Sequence, residues 1–284
     1  MIEGPWSKLE VNRVAGRSRL TTCLSVSPLK ILSPNAQADY SSAVLSGYGG
    51  GLVAGDSVRL RIECGREAKL FLGTQAFTKI YKTVGGRGAR QEIECHMGSD
   101  ACVVSLPDPI VPYADSAFEQ HQTWHLCEGA MLVLLDGATA GREARGERFD
   151  YGSYISNITV YRADDLVLVE RFDSQPDRND AERVGVFAGY STFANLFIIG
   201  SPESAAFAAM KERLIADLQP RVDKQMAEGA DGAALLSLAE SRPGVLVGRA
   251  LGHSSSDLNF IARTLALAAS DSRVLGEDPL HRKY

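Results

Sequence analysis

"SGYGGGLVAGDSVRLRIEC", residues 46–64, decides the fold. Its five glycines resemble a phosphate cradle. A phosphate-binding loop, however, needs Lys-Ser or Lys-Thr after the glycines and a helix behind them. Neither follows here. A dinucleotide-binding turn needs the same helix. Instead Asp56 leads into a stretch of period two, with Val58, Leu60, Ile62 and Cys64 on one face and Arg59, Arg61 and Glu63 on the other. That is a half-buried strand. The glycines therefore read as a tight β-connection, with bare backbone that lets another surface come close.

The same reading extends in both directions. "AKLFLGTQAFTKIYKTV" (68–84) is rich in β-branched and aromatic residues, and "RQEIECHMG" (90–98) alternates again. "AMLVLLDGATAG" (130–141) opens on a continuous apolar run, as a strand buried on both faces would. "SNITVYRADDLVLVERF" (156–172) predicts a hairpin turned at residues 163–165. Strand–helix alternation is missing, which disfavours a doubly wound sheet. No fixed internal repeat appears, which argues against a regular solenoid. The expectation is a mainly β chain: a many-stranded β-sandwich or an irregular β-helix-like stack, with two or three helices in the C-terminal third.

Three helices are expected late in the chain. The first is capped at Ser201-Pro202, carries Phe207, Met210, Leu214 and Leu218 at helical spacing, and ends at Pro220. A second, short one falls in "DGAALLSLAESRPG" (231–244). The third starts at a Ser256 cap, with Leu258, Ile261, Leu265 and Ala268 or Ala269 as its apolar stripe. No composition break marks a second domain. The expected layout is one domain over 1–284: a β-rich core of about 10–200, a helical and mixed part of about 201–270, and a loose polar tail at 271–284.

Composition narrows the function classes. Lys and Arg number 30 against 35 Asp and Glu, so the surplus of positive charge that nucleic acid demands is absent. No run approaches the roughly 20 apolar residues of a membrane span, and the N-terminus has no apolar signal region. The five cysteines, an odd number without a CxxC pair, suit a reducing compartment, so a cytoplasmic location is expected. His121 and His125 share one face of a predicted strand. Four residues of strand span about 13 Å, too far for both to hold one ion.

No nucleophile motif is present, and no carboxylate pair is singled out. "LPDPIVPYADSAF" (106–118), with Pro107, Pro109 and Pro112, predicts a stiff extended crossing. "DGATAGREARGERF" (136–149) reads as a charged loop or hairpin, or as a cluster of oxygen ligands and guanidinium groups.

Taken together, three segments resemble the urease accessory protein family UreD, also called UreH. They are the glycine run ending in Gly-Asp with its Thr-Gln-x3-Thr-Lys-x-Tyr strand, the Leu-Pro-x-Pro segment, and Gly-Arg-x3-Gly-Glu. The match covers roughly residues 40–175. In its Asp108-Pro109 pair it runs closer to the plant and fungal branch. The resemblance implies a β-rich scaffold with no catalytic residues and no tightly bound cofactor. Such a scaffold binds UreF, joins the GTPase UreG to apo-urease through it, and lets nickel pass. Carried onto this sequence, the expected transit lining is Asp56, Asp136, Glu147 and Thr78, with Lys79 and Arg142 pairing the acids or shaping a mouth. Asp56→Ala and Glu147→Ala are then expected to lower urease activation. Two other readings stay open: a β-rich enzyme with an Asp/Glu pair, and a plain interaction module that never touches metal.

Overall fold

The computed structural model describes residues 4–34, 36–229 and 234–281. Three strands lead in: β1 (Ser7–Val14), β2 (Arg17–Leu24) and β3 (Leu29–Leu32). The chain then winds through four coils. The first is β4 (Ser41–Gly47), β5 (Gly51–Leu52) and β6 (Ser57–Cys64). The second is β7 (Lys69–Thr74), β8 (Thr78–Ile80) and β9 (Ala89–Met97). The third is β10 (Cys102–Leu106), β11 (Ile110–Pro112) and β12 (Ala117–Leu126). The fourth has β13 (Met131–Thr139) and β14 (Ser153–Arg162), with a single 3-10 turn at Glu143–Arg145 between them. The ending comprises β15 (Asp165–Ser174), β16 (Thr192–Ile199), α1 (Ala205–Glu228), β17 (Leu235–Arg242), β18 (Val245–Gly252) and α2 (Ser255–Ala269).

Corresponding strands stack in parallel. One long sheet runs β15-β14-β12-β9-β6-β1-β2, and its five middle strands are parallel. The other runs β17-β18-β16-β13-β10-β7-β4-β3, parallel from β13 to β4. The short strands β5, β8 and β11 make a third, narrow face. The molecule is thus a β-solenoid, mainly β with two helices. Its β4, β7, β10 and β13 begin at residues 41, 69, 102 and 131, so the steps are 28, 33 and 29 residues. Unequal coils carry no constant period, which is why the repeat is invisible to sequence self-comparison.

The two long sheets differ in burial for a simple reason. In the first, β12 alternates strictly between half-buried and buried positions, because one face meets solvent. In the second, β10 and β16 are buried at every position, because α1 and α2 cover the outer face. One apolar cluster fills the solenoid, around Leu60, Ile62, Leu132, Leu134, Trp124 and Ile158. A second lies between the sheet and the helices, around Val133, Phe207, Leu214 and Leu265.

The C-terminal third differs from expectation in four ways. First, α1 is capped by Ser204, whose Oγ accepts from Phe207 N, and it runs on through Pro220. Proline removes one backbone donor, but Leu218 in the second cluster and Val222 on the other side both remain buried, and that packing holds the helix together. Second, residues 235–242 form a strand. Leu236 and Leu238 pack against the second cluster, β18 supplies the ladder, and the hairpin turns at Pro243-Gly244, where Gly244 has φ +79°. Residues 231–233 of that expected helix lie outside the described residues. Third, α2 is capped by Ser254 in place of Ser256. Its Oγ accepts from Ser256 N, and Asp257 Oδ2 accepts from Ser254 N. The stripe of Leu258, Ile261, Leu265 and Ala268 is buried as read. Fourth, the tail expected to be loose is packed as far as His281: Val274, Leu275 and Leu280 join the second cluster, and Glu277 accepts from the backbone N–H groups of Gln37 and Ala38.

Both ends of the parallel stack close in the same manner. At one end β2 turns back antiparallel on β1, with a bulge at Glu10/Val11. At the other β15 turns back on β14, with a bulge at Val160/Tyr161.

Candidate functional site

The glycine run forms the narrow face. Gly49 and Gly50 have φ of +84° and +74° and turn β4 into β5. Gly51 then lies so close to β8 that a Cβ on it would stand 2.4 Å from the Lys79 carbonyl oxygen. Bare backbone is therefore required for one coil to settle on the next. Behind this face lies a cavity of about 380 Å³ inside the solenoid. Thr78 from β8, Gln91 from β9, Gln120 and Gln122 from β12, Ser105 from β10, Asp108 just after it, and Asp136 from β13 all line it.

Asp136 is the centre of this polar group. It is only 3% exposed. Gln120 Nε2 donates to its Oδ1 at 2.6 Å, and Ser156 Oγ donates to its Oδ2 at 3.0 Å. Burial pushes the carboxyl up to about 6, against the pull of those two hydrogen bonds, and the Glu170 charge adds to the rise. Asn195 of β16 stands opposite Asp136 in register. Arg249 Nη1 donates to Asn195 Oδ1 at 2.9 Å and also pairs with Glu170, which is bound at both carboxylate oxygens. The Tyr154 hydroxyl nearby is buried and has no hydrogen-bond partner among the described residues, and burial, with the Asp136 charge, drives its pKa well up. A polar track thus leads from the narrow face, past Asp136, to the Glu170–Arg249 pair where β15 meets β18.

The six residues singled out in the sequence fall in different places. Asp136 and Thr78 line the cavity. Asp56 does not: its Oδ2 accepts from Val53 N at 2.9 Å and closes its own turn. Glu147 lies outside as well. It is bound twice by Arg142, accepts from Ala114 N, and sits beside Tyr113, over whose ring the guanidinium lies 3.8 Å away. The Arg142 interaction holds the Glu147 carboxyl below the usual range. Lys79 is exposed on β8. The expected lining is therefore split among a cavity, a turn and a surface ion pair.

Sequence reading missed Asp108, Gln120, Gln122 and Ser156. Asp108 binds Thr74 twice: Thr74 Oγ1 donates to its Oδ2, and its own N donates to that Oγ1, both at 2.7 Å. The available signal was the inward row of β12, where Gln120 and Gln122 interrupt Phe118 and Trp124. Polar side chains at core positions call for partners or a ligand.

Among the described residues, no three His, Cys, Asp or Glu side chains come together to hold a metal ion. His121 pairs with Glu119, while His96 pairs with Glu94 on the neighbouring strand. All five cysteines are free; Cys64, Cys95 and Cys102 are buried, and burial raises each thiol's pKa. No described helix is long and apolar enough to cross a membrane.

The fold and its interior define a β-solenoid whose apolar core holds one polar group around Asp136. The family described as UreD urease accessory protein matches residues 6–283, and the chain belongs to that family. It is 35% identical to a urease accessory protein UreD of Sorangium cellulosum over 279 residues, covering 98% of this chain and 83% of the relative. It is 35% identical to urease accessory protein D of Arabidopsis thaliana over 204 residues, 68% of this chain and 67% of the relative. A Cytophaga hutchinsonii UreD is 33% identical over 208 residues, 73% of each chain. Bacterial and plant relatives stand at similar identity. Membership makes the protein an accessory factor in urease maturation and not an enzyme.

Proposed function

We propose that this chain is a cytoplasmic scaffold that joins UreF-like and UreG-like proteins to apo-urease, and that nickel(II) crosses it through the interior cavity. The observation that carries the transit reading is Asp136: a buried carboxylate held by an amide and a hydroxyl, on the wall of a cavity that a second buried carboxylate, Asp108, also lines. Nickel(II) accepts nitrogen and oxygen ligands, and firm binding needs several that converge. Two carboxylates spaced among neutral oxygens attract the cation and, without a converging ligand set, also release it. The three buried free thiols fit a reducing compartment. Asp56 and Glu147 leave the lining, each being engaged locally; Asp108, Gln120 and the Glu170–Arg249 pair join Asp136 and Thr78.

The test is co-expression of the Asp136→Asn variant with UreF-like and UreG-like proteins and apo-urease, reading pull-down and nickel content together. The complex should form as before, while nickel in urease and its activity fall about tenfold or more. Normal activation by Asp136→Asn would overturn the passage and leave a plain interaction module. Failure of the wild-type chain to bind a UreF-like protein would overturn the scaffold reading.

A further inference from the structure

On the outer face of the first long sheet, one row of residues runs across four coils: Glu63 on β6, His96 on β9, His125 on β12 and Tyr161 on β14, each in register with the next. The rings form a stack. His96 and His125 lie 4.6 Å apart and 4° from parallel; His125 and Tyr161 lie 5.1 Å apart and 7° from parallel. A groove of about 590 Å³ opens along this row, bordered also by Asn12 and by Asp164 in the β14–β15 turn.

We propose that this groove is a docking site for an arginine side chain on a basic segment of a partner protein. Three properties select that occupant. Glu63 and Asp164 are exposed, and neither has an ion-pair partner among the described residues, while no Lys or Arg lines the groove. A cation is therefore attracted and an anion is not. His125 is covered on both faces by its neighbours, so the end faces of the stack, on His96 beside Glu63 and on Tyr161, are where a planar guanidinium packs better than a compact ammonium. A metal ion is a poor fit, because the ring nitrogens of parallel imidazoles lie in separate planes and their lone pairs do not converge on one point. The site is remote from Asp136 in chemistry and in place, so it does not depend on nickel transit.

The test uses the full chain and fluorescein-labelled hexa-arginine, read by fluorescence anisotropy. Glu63→Lys with Asp164→Asn should weaken binding about tenfold; Asn suits the left-handed backbone of position 164, where φ is +69°. Asp177→Lys with Asp180→Lys, in the exposed loop after β15, should leave it unchanged. Tyr161→Ala should weaken hexa-arginine more than hexa-lysine. Bound peptide should also slow alkylation of Cys127, the exposed thiol at the groove's edge, in a Cys23→Ser background. Equal weakening by the two charge-altered pairs would mean attraction to net charge alone and would overturn the proposal. So would unaltered Cys127 alkylation, or equal loss of both peptides on Tyr161→Ala. Circular dichroism of each variant confirms the fold before binding is read.

Discussion

The two halves of the solenoid's interior are built from the same strands yet differ in kind. Along β12 the inward row reads Phe118, Gln120, Gln122, Trp124, Leu126. Around Trp124 and Leu126 the neighbours in register are Cys95, Met97 and Val160, all part of the apolar cluster. Around Gln120 they are Gln91 and Ser156, with Asp136 hydrogen-bonded to it; Gln122 stands between Ile93 and Ile158, and a cavity remains. Side-chain volume decides the first half; hydrogen-bond partners decide the second. A parallel stack places identical positions above one another, so one polar rung recruits the next. Only three or four such rungs were needed to turn a core into a compartment.

The largest effect that would break this contrast is Trp124→Ala. It removes a fully buried ring from the filled half and should cost about 3–5 kcal/mol in denaturant unfolding. Nickel content of co-expressed urease, normalised to folded chain, should hold. If that variant abolished nickel transfer at full folding, the two halves would not be functionally separate.

Asp136→Asn probes the other half. The folded carboxyl titrates at about 6 against an ordinary 3.8, so the folded state binds the extra proton between those values. Wild-type stability from this group is greatest below pH 4 and declines as pH rises through about 6. The variant lacks that decline. At pH 8 it should be more stable than wild type, by an amount on the order of 3 kcal/mol, and the difference should vanish near pH 4. Denaturant midpoints across pH 4–8 measure it; a constant difference would show that Asp136 is not titrating in a buried site.

Gly51→Ala drives a methyl group against the Lys79 carbonyl at the narrow face and should cost about 1–3 kcal/mol. It should also narrow the cavity and slow nickel transfer. Asp56→Ala should have the smallest effect: one turn hydrogen bond lost, about 1 kcal/mol, with urease activation unchanged. Glu147→Ala should likewise spare activation. Reduced activation by either would return that residue to the lining.

Much of this was legible in the sequence where local rules suffice. Period two placed Val58, Leu60, Ile62 and Cys64 inside, and the apolar run before Asp136 marked a strand covered on both sides. The hairpin turn at residues 163–165 was readable from its residue types, though not the left-handed backbone of Ala163 and Asp164. Legibility failed where distant partners decide. Leu235–Arg242 has the Ala/Leu composition of a helix, and only the ladder with β18 makes it a strand. Pro220 stops an isolated helix but not one fastened on both sides of it. Asp136 was singled out by its chemistry, and the structure puts it on the cavity wall. Gln120 and Gln122 were hidden because β12 was read by its outward histidines, and Asp56 was misplaced because an acid after glycines looks the same whether it lines a passage or closes a turn.

The reversed strands at the two ends have a further consequence. A parallel stack has no natural length, since every rung presents the edge on which another could form, whether from the same chain or from a second molecule. Here each terminal rung is laid in the opposite direction and kinked by a bulge. An incoming parallel strand finds neither the register nor the flatness to continue the series. The number of coils, and with it the size of the interior compartment, is thereby fixed within one chain and not left to assembly.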